Sequence, residues 1–124
     1  MSAALEIGLV DQVIGHEGTI EPGRLSALLH ITKSDLAATS GLSRDAVSKT
    51  ARLRAPATQT RLREVAEIIN RVLPWCGSVA QAFAWYRSQP LPAFGDQTAA
   101  ELVREGRAGH VMSYLGGIAL GGYA

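Results

Sequence analysis

The stretch TKSDLAATSGLSRDAVSK, residues 32–49, decides how the rest of the chain is read. Thr32 and the acid three residues on, Asp35, have capping-box spacing and open a helix through Leu36, Ala37 and Ala38. Gly41 ends that helix, because glycine takes the left-handed conformation that lets a chain reverse within about three or four residues. Ser43 then caps a further helix, expected over Arg44–Leu53, with Asp45 in its first turn where the helix dipole favours an acid. Upstream, Pro22 suits a first helical position, and Leu25, Leu28 and Leu29 recur at helical spacing, which predicts a helix over Pro22–His30. Leu36, Ala37, Leu42 and Val47 would close a small core between two crossing helices, so the whole reads as a helix-turn-helix.

Charge singles out the same region. The chain carries a net charge of only +1, yet residues 44–63 hold Arg44, Lys49, Arg52, Arg54, Arg61 and Arg63 against the single acid Asp45. Ser43, Arg44, Ser48, Lys49 and Arg52 would face outward, where hydroxyl and cationic groups reach base edges and phosphates in a major groove. Arg54 and Arg61 would meet phosphates and fix orientation. The plain alternative is a solvated face on a helical hairpin with no DNA function.

Working outward, Pro56 is expected to stop the third helix and Ala57–Thr60 to offer a fresh cap. Leu62, Val65, Ile69, Val72 and Leu73 then repeat at three- and four-residue steps, an amphipathic helix bounded by Pro74. Ser78 begins a helix carrying Val79, Ala82, Phe83 and Tyr86, and Pro90–Gly95 reads as a structured turn. Thr98 and Glu101 repeat the capping-box spacing before a helix ending at Gly106, and Val111, Leu115 and Ile118 share one face of the last helix. The fold class is therefore all-α: an N-terminal helix-turn-helix region over residues 1–73, followed by a small helical C-terminal domain over residues 74–124.

Composition excludes several classes. A chain of 124 residues with 47% hydrophobic and 19% charged residues is ordinary for one packed domain or two small subdomains, and too short for a large multi-domain enzyme. The single cysteine, Cys76, forms no internal disulfide, and the first residues carry Glu6 and Asp11 where a signal peptide stays apolar, so the reducing cytoplasm is expected. The charge-free stretches Val72–Tyr86 and Ala108–Ala124 are too short and too interrupted for a membrane span. His16, His30 and His110 stand far apart with no metal-ligand spacing, no glycine-rich phosphate loop is present, and the Glu64/Glu67 and Glu101/Glu105 pairs read as solvated faces. No metal, no cofactor and no catalytic residue is expected.

From the helix-turn-helix onward the chain resembles a known family. Ala84-Trp85-Tyr86 before a proline turn, Phe94-Gly95-x-x-Thr98, Glu101-Leu102-Val103, Gly106-Arg107, Val111, Leu115 and Gly121 follow the order and approximate spacing of the Xre/MbcA/ParS antitoxins, over about residues 20–124. Ala99 departs from the pattern, which usually has proline there. The resemblance implies a cytoplasmic antitoxin whose C-terminal toxin-binding domain blocks a RES-type or related NAD-using toxin, while the helix-turn-helix represses the shared operon on operator DNA. It implies toxin contacts at Trp85, Arg107, Tyr114, Gly121, Gly122, Tyr123 and Ala124, with the tail and its aromatic tip entering a polar pocket that itself takes nicotinamide dinucleotide. A homodimer or higher oligomer is expected on helices near the N-terminus or over Arg61–Leu73, since a palindromic operator needs two readers. A stand-alone helix-turn-helix regulator is the alternative, and a small enzyme the third reading.

Overall fold

A computed structural model of the chain describes residues 8–15 and 17–119. Nine α-helices lie among the described residues: α1 Leu9–Val13, α2 Pro22–Leu29, α3 Lys33–Ser40, α4 Arg44–Ser48, α5 Thr50–Leu53, α6 Pro56–Cys76, α7 Val79–Ser88, α8 Ala99–Arg104 and α9 Ala108–Ala119. A short 3-10 turn, Pro92–Phe94, precedes α8. Extended pairing among the described residues is limited to isolated bridges such as Ile14 with Ile20 and Leu91 with Gln97, so the fold is all-α.

Local chemistry sets most helix starts. Thr32 Oγ1 accepts the Asp35 amide at 3.0 Å, Ser43 Oγ the Ala46 amide at 3.1 Å, Ser78 Oγ the Gln81 amide at 3.1 Å and Thr98 Oγ1 the Glu101 amide at 3.1 Å. Each satisfies a donor that a helix N-terminus otherwise leaves orphaned. α2 stops at Leu29 because His30 turns left-handed (φ 59°) and its amide reaches back to the last turn.

Three expectations give way to the structure. The helix expected over Arg44–Leu53 is broken at Lys49, whose backbone is extended (φ −89°, ψ 125°) and serves as end of α4 and start of α5. Ser48 and Thr50, on either side of the break, are weak helix formers. Gln59 Nε2 donates to the Leu53 carbonyl at 2.6 Å and the Ile20 carbonyl at 3.1 Å, while its Oε1 accepts the Ile20 amide at 2.7 Å. Pro56 does not merely stop a helix: it is the first residue of α6, where its missing N–H costs nothing. Pro74 lies inside the last turn of α6, which runs on to Cys76 and ends at Gly77 (φ 94°).

α6 is the axis of the molecule. Leu62, Val65, Ile68, Ile69 and Val72 are fully buried against α1, α3, α7, α8 and α9. At about 1.5–3 kcal/mol for each large side chain, this one face contributes on the order of 10 kcal/mol of apolar burial. α1, for which the sequence offered no role, buries Leu9 and Val13, and its Leu9 amide donates to Asn70 Oδ1 of α6 at 3.0 Å. One cluster of buried residues runs from Leu9 to Leu115, and the expected division between residues 73 and 74 falls inside α6.

Candidate functional site

The segment expected to form a helix-turn-helix consists of α3, the turn at Gly41 and α4. Gly41 is left-handed (φ 74°) and its neighbour's amide, Leu42 N–H, donates to the Ala37 carbonyl at 2.9 Å, closing the turn. A Cβ at Gly41 would sit 3.1 Å from the Arg104 Cα, so the turn packs against α8 at a distance only glycine permits. Leu36, Ala37 and Val47 are buried beneath it, and Leu42 is half-buried.

Two hydrogen bonds tie this turn to α6 and α7. The Tyr86 hydroxyl of α7 donates to the Thr39 carbonyl at 2.7 Å, and Arg61 Nη1 of α6 donates to the Ser40 carbonyl at 2.8 Å. Burial pushes the Tyr86 phenol well above its usual range, against the opposing pull of the Arg104 and Arg61 charges. Arg61 also meets Glu64 at 3.3 Å. The structure therefore turns Arg61 inward as a brace, half-buried, rather than leaving it among the exposed cations with which its sequence position groups it.

Ser43, Arg44, Ser48, Lys49, Arg52 and Arg54 are all exposed. Arg52 faces Asp45 at 3.7 Å and Arg54 pairs with Glu17 at 2.6 Å, while among the described residues Arg44 and Lys49 have no acid within ion-pair reach. The break at Lys49 means that these groups occupy two short helices, with Arg44 and Ser48 on α4 and Arg52 on α5.

In the C-terminal half, Arg107 and Tyr114 gather round the turn between α7 and α8. Arg107 Nη1 donates to Gln97 Oε1 at 3.4 Å and meets Glu105 at 3.4 Å, and Tyr114 packs edge-on against Phe94 with ring centroids 5.7 Å apart. Trp85 lies elsewhere, half-buried in an open groove of about 400 Å³ between the end of α6 and α7. Trp75, in the last turn of α6, is 52% exposed. Gly121, Gly122, Tyr123 and Ala124 lie outside the described residues. No helix among the described residues is long and apolar enough to cross a membrane, and no group of three or more His, Cys, Asp or Glu among them could hold a metal ion.

Residues 72–121 match the model of the antitoxin Xre/MbcA/ParS C-terminal toxin-binding domain. The match begins in the last turns of α6 and takes in Trp75, the groove, α7, the Pro92–Phe94 turn, α8 and α9. Comparison with curated proteins and with solved structures gives no match. Over residues 72–121 the chain is therefore similar to the C-terminal toxin-binding domain of the Xre/MbcA/ParS antitoxins.

Proposed function

We propose that the chain is the antitoxin of a type II toxin-antitoxin pair that binds and blocks a RES-type, NAD-consuming toxin and represses its own operon through the helix-turn-helix. The observation that carries this reading is the toxin-binding family match over residues 72–121, joined through one core to a helix-turn-helix segment whose exposed face bears Arg44 and Lys49. Residues 1–73 are then the DNA-binding region and residues 74–124 the toxin-binding one. Ser43, Arg44, Ser48, Lys49 and Arg52 read operator DNA, and Arg54 joins once it exchanges Glu17 for a phosphate. Trp85, Arg107, Tyr114 and the tail Gly121–Ala124 contact the toxin, the two aromatics supplying apolar anchors and Arg107 a charged one. The chain itself performs no catalysis and works in the cytoplasm.

Co-expression with the adjacent reading frame tests this. An antitoxin requires that frame to encode a growth-arresting protein that depletes NAD, and requires this chain to restore growth and to co-purify with it. A neighbour without toxicity, with this chain still retarding its promoter DNA, would replace the reading with that of a stand-alone regulator.

A further inference from the structure

Past Pro74 the chain carries three arginines and no lysine. Arg87 lies over the Phe83 ring, 5.4 Å from its centre, and Arg107 is engaged by Gln97 and Glu105. Arg104 is exposed on α8, and its guanidinium makes no hydrogen bond or ion pair among the described residues. Its stem lies against the turn that leads into α4: a Cβ at Gly41 would sit 3.1 Å from the Arg104 Cα and 3.2 Å from its Cγ. Gly41 stands two residues before Ser43, the cap of α4, and two residues of chain span at most about 7 Å. The guanidinium has no partner waiting at this turn. The last two carbonyls of α3 are taken, Thr39 by the Tyr86 hydroxyl and Ser40 by Arg61 Nη1. Asp45 of α4, Glu64 of α6 and Glu105 at the end of α8 face Arg52, Arg61 and Arg107.

We infer that Arg104 is a DNA-backbone contact, a guanidinium supplied from the half of the chain assigned to the toxin that clasps a phosphate beside the start of α4. The inference rests on the proposed DNA binding. A recognition helix presents its N-terminal residues to base edges, so a cation flanking that end meets the sugar-phosphate strand at the rim of the groove. An arginine fork matches a phosphate bidentately, and one without an internal partner gives up no bond on binding. Arg54, just past α5, has to release Glu17 first. Arg104 before α4 and Arg54 after α5 thus bracket the DNA-facing segment, and together they fix how it enters the groove. The toxin is the other candidate, because residues 72–121 include Arg104. The packing of its stem on Gly41, three residues from Arg44, favours DNA.

Fluorescence anisotropy of the purified chain on two labelled duplexes, one from its own promoter and one of random sequence, tests this between about 50 and about 200 mM salt. Arg104→Gln keeps the stem against Gly41 and removes the charge. It should flatten the slope of log affinity against log salt by about one on both duplexes, so that its deficit relative to wild type is about 3.5-fold larger at the low-salt end than at the high-salt end. Arg104→Lys should restore the slope, since one cation still displaces one counterion. Helical circular dichroism, and capture of the growth-arresting product of the adjacent frame, should be unchanged in both variants. A Gln variant with the wild-type slope would overturn the inference, as would a change of slope that Lys fails to restore. A Gln variant that binds DNA as wild type does but no longer captures the toxin would overturn it in favour of the toxin. A wild-type chain with no salt-sensitive binding to either duplex would sink the DNA reading itself, a result distinct from all the others.

Discussion

Removing one oxygen atom, in Tyr86→Phe, isolates the bond that holds the end of α3 to α7. Tyr86 is fully buried and its ring stays in place as phenylalanine, stacked on Phe83 at 6.1 Å, so the apolar contribution is retained. What is lost is a short hydrogen bond, 2.7 Å from hydroxyl to the Thr39 carbonyl. A neutral bond contributes about 1 kcal/mol net, and the stranded carbonyl adds up to about 1 more, giving an expected loss of about 1–2 kcal/mol. For a chain of this size that lowers Tm by roughly 4–8 °C, whereas Tyr86→Ala, with its cavity, should cost about 3–5 kcal/mol. pH supplies a second readout. Burial raises the phenol's pKa in the folded chain, so the folded state keeps its proton where the unfolded chain has released it. Stability is fully present below the ordinary phenol value of about 10 and falls as pH rises above it, by at most about 1.4 kcal/mol per unit. Tyr86→Phe should flatten that alkaline fall. Urea denaturation followed by circular dichroism, from neutral pH upward, measures both effects. A Tyr86→Phe chain within about 0.3 kcal/mol of wild type, with the same alkaline slope, would refute the reasoning.

Gly41→Ala and Gly106→Ala form a matched pair: both positions are left-handed (φ 74° and 80°), but an added Cβ meets the Arg104 backbone at 3.1 Å only at Gly41. Gly106→Ala should cost about 1–2 kcal/mol and Gly41→Ala about 1–2 more, and equal losses in thermal melts would show that the contact with α8 is slack. On promoter DNA, Arg44→Ala and Lys49→Ala should each reduce the slope of log affinity against log salt by about one, while Arg61→Ala should chiefly lower stability because its guanidinium serves the Ser40 carbonyl. No salt-sensitive retention of the wild-type chain would leave the cations as a solvated face. Deleting residues 118–124 should abolish rescue from the toxin while leaving the helical signal nearly intact, since Val111 and Leu115 keep α9 anchored; rescue by the shortened chain would remove the tail from the inhibitory contact.

What the sequence disclosed is what is decided within a turn or two of chain. Thr32 with Asp35, Ser43, Ser78 and Thr98 with Glu101 all cap where their spacing placed them, and Gly41 makes the reversal that glycine signals. Apolar periodicity gives most of the buried faces of α6 and α9, through Leu62, Val65, Ile69, Val72, Val111 and Leu115, while Leu73 and Ile118 are only half-buried and Ile68 joins the core beside them. Legibility ended where a partner lies far along the chain. The break at Lys49 has only the weak local signal of Ser48 and Thr50, and the contacts of Gln59 with Leu53 and Ile20 just beyond it have none. Arg61 looked like one cation of a basic run, yet a carbonyl 21 residues away claims it. Tyr86 matched a helix face, but its hydroxyl answers to Thr39, 47 residues upstream. Pro56 and Pro74 read as boundaries because proline's usual role is to break helices; at the first position of α6 Pro56 gives up an N–H that has no intrahelical partner, whereas Pro74 sits within the last turn of the same helix. In the candidate site, the residue types of the basic face were readable, and the division between free and engaged cations was not.

α6 has a bearing on how such a chain could be recombined. Residues on both sides of the 73/74 boundary are turns of one rod, and the sides of that rod are packed by elements from both ends of the sequence. A crossover placed where the family segment begins, at residue 72, would splice a helix in mid-turn and mate a foreign α7 to this Thr39, Ser40 and Gly41 surface. The seam that spares these contacts is not a point in the sequence at all, since Tyr86, Arg104 and Arg61 would have to travel with α3. A chimera that exchanges the proposed toxin contacts while keeping the proposed DNA-facing residues therefore has to exchange outward-facing positions singly, leaving the rod and its inner face untouched. Specificity at the two ends can then diverge only through surface substitutions, with the interior common to both inherited as a unit.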